Sequence, residues 1–193
     1  MILYPQPWAA SGSRLRCSQR ASLDTLLPAS STMTLPETHL TVKPEWIDHN
    51  GHMNVAFYVL AFDQATDQVY ETWGLGHDYP DREQHSIFTI GMNVDYLSEA
   101  FQGDPLRVKT QLIDMDHKRI HYLHLMYHAT GNQLLARNEC LCMNIDLATR
   151  RSAPFPASVM ALLNPVMAEH RKLAPPGNVG RILQIRKDSA ATG

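Results

Sequence analysis

The chain has 193 residues, with 17 Lys and Arg against 19 Asp and Glu, a net charge of −2, and 44% apolar side chains. That suits one globular domain of ~100–200 residues, argues against a dedicated nucleic-acid binder, which carries a strong basic excess, and offers no run near the ~20 apolar residues of a membrane-spanning helix. Three cysteines, Cys17, Cys140 and Cys142, are too few and too oddly placed for a disulfide framework.

Residues 1–36 are read as a leader outside the fold. They hold Ser, Pro, Ala and Arg without an apolar period, and no acid precedes Asp24. The favoured reading is a disordered leader, or an extension upstream of a working start at Met33, in a cytoplasmic protein. The alternative is a mitochondrial transit peptide, given Arg14, Arg16 and Arg20. The domain is expected over 37–173, followed by a Pro- and Gly-rich tail over 174–193.

Residues 39–47 alternate weakly and predict a strand ending near Pro44. A polar turn follows over 48–54. Val55, Val59, Phe62, Thr66, Val69 and Trp73 then recur at three- and four-residue steps. They predict a five-turn helix capped by Asn54, with Gly74 and Gly76 past its end. Next the period becomes two. Phe88, Ile90, Met92, Val94 and Tyr96 share one predicted strand face, with Thr89, Gly91, Asn93 and Asp95 on the other. After the turn Gly103-Asp104-Pro105, a strand runs from Leu106 to a break at 114–118. Further strands follow at 120–128 and 134–147, joined at Thr130-Gly131-Asn132. Residues 157–168 predict a short helix broken by Pro165. One apolar helix stripe and one antiparallel meander give an α+β, two-layer core.

The turn before the helix is the most specific feature. Asp48, Gly51, His52, Asn54 and Tyr58 fall in the pattern Asp-x-x-Gly-His-x-Asn-x-x-x-Tyr. This resembles the signature of hotdog-fold acyl-CoA thioesterases of the 4-hydroxybenzoyl-CoA thioesterase type. The stretches 44–54, 63–67, 118–121 and 180–182 with Ile185 are similar to one branch, the betainyl-CoA thioesterases and the thioesterase domains fused to some carnitine dehydrogenases. Two positions depart from it: Val55 stands where many relatives carry a second Asn, and Asn93 where some carry a His. The resemblance implies an antiparallel sheet wrapped around the long helix. It implies an acyl-CoA substrate, no cofactor beyond the coenzyme A of that substrate, and a homodimer or homotetramer. Its active site would lie between subunits, the Asn93 strand of one facing the Asp48 turn of the other. An open sheet edge also demands a partner.

The chemistry follows from the residue types. A thioester is activated, and its leaving thiol has a pKa of ~8.5, so no strong general acid is needed. Helix N-terminal amides at Asn54 and Val55 are placed to hold the oxyanion. Asp48 is the candidate nucleophile or general base. Gly51 lets the turn close, and His52 and Tyr58 are candidate orienting groups. Lys118 and Arg119 are candidates for the coenzyme A phosphates, or an ordinary basic turn. Trp46, Tyr58 and Tyr96 are candidate aromatic faces for a cationic acyl group. Asp63 is a reserve for the catalytic carboxylate; with Asp67 it otherwise reads as a solvated or interface face. His49 and His52 have no third ligand at metal spacing. His124 and His128 sit ~13 Å apart along a strand, too far for one ion. Cys140 and Cys142 read as core. The rival functions are an acyl-CoA-binding module without turnover, and a dehydratase, for which no His and acid pair is evident.

Overall fold

The computed structural model describes residues 35–174 and 176–183. The leader reading, apart from residues 35 and 36, and the tail beyond 183 with Ile185 lie outside the described residues. All of these described residues belong to one compact unit.

The chain opens with β1 (Glu37–Thr41), which is shorter than expected. Pro44–Trp46 is a single 3-10 turn, with Pro44 at its first position, where no amide donor is needed. The central helix α1 (Val55–Trp73) has the expected ends. The Asn54 side chain accepts from the Ala56 amide, and Gly74 closes the helix in the left-handed region at φ 72°. A short helix α2 (Tyr79–Glu83), not anticipated, leads into β2 (His85–Tyr96). Then come β3 (Pro105–Met115), β4 (Arg119–His128), β5 (Leu134–Asp146), the two-residue β6 (Arg151–Ser152) and α3 (Ala157–His170).

The strands form one antiparallel sheet in the order β1-β3-β4-β5-β2, with β6 beside β5. Helix α1 therefore carries the chain from one sheet edge to the other across the sheet's inner face. Its buried line is Tyr58, Ala61, Phe62, Ala65, Val69 and Trp73. The helix is thus rotated from the expected stripe, and Val55 is exposed. The first half of α1 packs on Val42, Trp46, Leu106, Val108, Met126 and Ala136. The second half packs with Leu112, Ile120, Tyr122, Cys140, Cys142 and residues of α3.

Four expectations about elements are corrected. Strand β2, expected beside β3 in a meander, pairs instead with β5 at the sheet edge. Helix α3 runs unbroken through Pro165. The residue four before it, Ala161, is exposed, so the carbonyl that loses its amide partner faces water. Strand β3 continues to Met115 across a register shift between Leu112 and Asp114. Strand β2 carries a bulge between Thr89 and Gly91, and Ile90 is the extra residue. A bulge changes side-chain parity. Thr89, Met92 and Val94 lie opposite buried Cys142, Cys140 and Asn138, whereas Phe88, Asn93 and Asp95 lie opposite Met143, Glu139 and Arg137 on the outer face.

Candidate active site

The Asp48 turn is held by its own backbone. Ile47 pairs with Met53, the Asp48 amide donates to His52 O at 3.0 Å, and the Gly51 amide donates to Asp48 O at 3.0 Å. Gly51 has φ 85° with nothing near an added Cβ, so glycine serves conformation here rather than space. The Asn50 amide donates to Asp48 Oδ1 at 2.8 Å. This bond fixes the half-buried carboxylate on its turn, while Oδ2 meets no donor among the described residues.

The turn delivers the chain into α1. The Asn54 amide, expected as an oxyanion donor, is consumed: it donates to Trp46 O at 2.9 Å. The Ala56 amide is taken by the Asn54 side chain at 2.9 Å. The Val55 amide, at the first helical position, meets no acceptor among the described residues. Of the expected pair, Val55 N–H alone is free, where the helix dipole is most positive.

A crevice of about 260 Å³ opens beside this helix start, lined by His52, Met53, Val55, Tyr58, Tyr96, Leu97, Ser98 and Glu99. Tyr58 donates its hydroxyl to Ser98 O at 3.1 Å and meets the Tyr96 ring edge-on at 5.4 Å. Burial raises both phenol pKa values, so both rings stay neutral. The Tyr96 hydroxyl donates to Val55 O at 3.3 Å. His52 lies 3.8 Å from Glu99 at the rim. Asp48 itself does not line the crevice; the turn that bears it feeds the crevice wall through His52 and Met53.

The other candidates are not brought here within one chain. Trp46 is buried, stacked on Phe57 at 5.8 Å with Lys43 over its ring, so its faces are already covered. Asn93 points outward because of the bulge, and it donates to Arg181 O at 3.2 Å. Lys118 and Arg119 stand at the opposite end of the sheet, about 30 Å away along β3 at ~3.4 Å per residue. Arg119 is held by Asp116 at 2.6 Å. Burial would raise the Asp116 carboxyl, but bonds from Lys118 and Arg119 outweigh it and hold it at about 2. Within the tail, residues 177–181 are fastened to the outer face. Arg137 donates to Gly177 O at 2.7 Å, the Gly180 amide donates to Glu139 at 2.9 Å, and Arg181 pairs with Asp95.

His124 is fully buried between Thr66 and Thr110, at 2.9 and 2.8 Å, and burial pushes its pKa down to about 3. Cys140 is buried too, and burial with Cys142 beside it pushes its thiol up to about 12, so it is no nucleophile. Asp63 and Asp67 are not simply solvated. They line a second cavity of about 240 Å³ beside the later turns of α1, which periodicity gave no means of seeing. Among the described residues, no group of three or more His, Cys, Asp or Glu could hold a metal ion. None of their helices is long and apolar enough to cross a membrane.

Comparison with known proteins converges on this architecture. Residues 42–163 match the thioesterase-like superfamily. The chain is 38% identical over 156 residues to a Pseudomonas aeruginosa betainyl-CoA thioesterase, covering 81% of this chain and 97% of that one. It is 33% identical over 155 residues to the Rhizobium meliloti L-carnitine dehydrogenase/betainyl-CoA thioesterase, where the match spans 80% of this chain and 31% of the longer protein. A Staphylococcus aureus protein solved in complex with CoA superposes with a TM-score of 0.74 at 28% identity, covering 81% of this chain and 100% of that one. The chain belongs to the thioesterase-like superfamily and is a thioester hydrolase of the hotdog fold.

Proposed function

We propose that the protein hydrolyses a small acyl-CoA, betainyl-CoA or a close analogue, to the free acid and CoA. The observation that carries this is the crevice at the start of α1, where a free Val55 amide and the Asp48 turn meet. The thioester carbonyl enters there with its oxygen toward Val55 N–H, and the helix terminus adds roughly half a positive charge. Asp48 Oδ2 supplies the attack by one of two routes. In the first it bonds to the acyl carbon, the C–S bond breaks, CoA leaves as the thiolate, and water cleaves the resulting anhydride. In the second it takes a proton from a water whose oxygen adds to that carbon; the tetrahedral adduct then collapses, the C–S bond breaks, and CoA leaves as the thiolate and takes up the proton. No cofactor beyond the coenzyme A of the substrate is required.

The working unit is a homodimer. The outer edge of β2 is unpaired among the described residues, and Phe88, Ile90, Met92, Tyr96 and Val55 are 38–55% exposed around it. A long apolar edge of this kind is covered by a second copy. Antiparallel pairing of β2 with itself about its midpoint, Ile90–Gly91, places His85 opposite the partner's Tyr96. The Lys118–Arg119 end of one subunit then lies beside the Asp48 end of the other, within reach of the coenzyme A phosphates.

Asp48→Asn separates enzyme from binder. Thiol release should fall by about 100-fold or more, as for loss of a reacting group. Calorimetry should still detect binding of a non-hydrolysable thioether analogue. A variant that keeps its turnover would contradict the proposal.

A further inference from the structure

Strand β2 is held on one side only. Among the described residues its ladder runs to β5 alone, and the bulge between Thr89 and Gly91 interrupts that ladder partway along. Residues 92–96, beyond the bulge, form a short arm whose rotation is weakly fixed by backbone pairing. The outer face supplies a second fixing. There Asn93 stands opposite Glu139 and Asp95 opposite Arg137, and these four side chains bind residues 177–181. Asn93 Nδ2 donates to Arg181 O at 3.2 Å, the Gly180 amide donates to the Glu139 carboxylate at 2.9 Å, and Arg137 Nη1 donates to Gly177 O at 2.7 Å. Asp95 is gripped from two directions, by Arg137 Nε at 2.6 Å and by the Arg181 guanidinium. Its side chain is only 12% exposed, so these charge-assisted bonds are little screened.

This segment is polar and peripheral. Residues 177–183 add nothing to either apolar core cluster, and Ile182 and Leu183 are exposed. A cavity of about 340 Å³, lined by Met92, His121, Leu141 and Gly180 among others, lies beside it on the outer face. What the segment contributes is therefore a fixed rotation of β2 rather than burial. Side chains alternate along a strand, so pinning Asp95 outward aims Tyr96 inward. Tyr96 lies opposite buried Ala136 and lines the crevice. It meets Tyr58 edge-on at 5.4 Å and donates its hydroxyl to Val55 O at 3.3 Å. Tail and crevice are thus joined through two adjacent residues.

We infer that residues 177–181 are a strap that sets the aim of Tyr96, and that Arg181 is a positioning residue for the crevice, acting through Asp95. This rests on the thioesterase reading above and extends it, within one chain, to a segment far from Asp48 in sequence. Loss of Arg181 leaves Asp95 paired with Arg137, so no buried charge is orphaned and the fold is kept. The rotation of the β2 arm is what is lost.

The test is a double-mutant cycle on acyl-CoA hydrolysis, with Arg181→Ala, Tyr96→Phe and the two combined. Each single change should lower kcat/KM by about fivefold, the scale of one hydrogen bond. The loss should fall on KM, because Tyr96 lines the crevice without reacting. The double variant should be no worse than the poorer single one, since both changes act on one contact. Arg181→Lys, which keeps the charge, should recover part of the loss, and melting temperatures should stay close to wild type. Wild-type kinetics in Arg181→Ala would overturn the inference. So would losses that multiply in the double variant, or a loss that merely tracks a fallen melting temperature. Hydrogen exchange adds a readout without turnover. Amides of residues 92–98 should exchange faster in Arg181→Ala, and unchanged exchange would overturn the strap. A wild type that releases thiol from no acyl-CoA would instead defeat the thioesterase reading, with exchange still deciding whether the strap holds β2.

Discussion

At the scale of single residues, the Asp48 turn was legible in the sequence because most of what shapes it is local, the Met53 amide's bond to Ala100 O at 2.8 Å being the exception. Asp48, Gly51 and Asn54 are each explained by a bond or a dihedral within six residues. Gly51→Ala tests this. With φ at 85° and open space around the site, its cost is backbone strain alone, ~1 kcal/mol. Melting temperature should fall by a few degrees, and turnover should fall further as Asp48 is re-aimed; an unchanged rate would argue against the turn's role. Trp46 and Asn93 were not legible as placed, since Phe57, which stacks on Trp46, and Arg181, which holds Asn93, lie on other elements or far along the chain. His124 was legible only as a strand residue. Its imidazole is neutral when folded, with a pKa of about 3 against 6.5 unfolded. Its contribution is full above the unfolded value and is lost as pH falls from 6.5 toward 3, by at most ~1.4 kcal/mol per pH unit. Denaturant titrations at pH 7 and 4.5 should show that loss, and a His124→Gln variant should show less of it.

At the scale of elements, the ends of α1 were written in Asn54 and Gly74, and the structure uses both. Removing the cap with Asn54→Ala should cost ~1 kcal/mol and free the Ala56 amide at the mouth of the site. Denaturant midpoints measure the first effect, and a changed KM would report the second. The phase of the helix was less legible. Val55 fits the apolar period as well as Tyr58 does, but only contact with the sheet decides which is buried. The β2 bulge left no pattern beyond the glycine at 91, and it re-aims every side chain after it. Pro165 was read as a break because the sequence cannot say that its orphaned carbonyl faces water.

At the scale of the whole molecule, the short connections gave the β3, β4, β5 neighbours and the helix gave one crossover, but β2 was misplaced: it pairs with β5 at the sheet edge rather than with β3, and residues 97–104 carry the chain back across. What periodicity could not supply is anything made by distant segments: the cavity at Asp63 and Asp67, and the tail clamped to Asp95 and Glu139. The apolar residues of β2 were read as one strand face, but the bulge splits them and their exposure leaves an edge that the proposed second copy would cover. Ile90→Lys places a charge there at a residue 49% exposed in the single chain. Light scattering should then report monomers that remain folded, with turnover reduced by about tenfold or more if sites need both subunits. A monomeric variant with full activity would contradict the dimeric working unit.

The most direct measurement is thiol release by the purified protein across a panel of cationic, short, branched and aromatic acyl-CoA esters. Steady release, highest for the cationic ester, is the expected result. An intact, folded protein that binds these esters yet liberates no thiol from any of them would contradict the claim that the Asp48 turn and the start of α1 form a hydrolytic site.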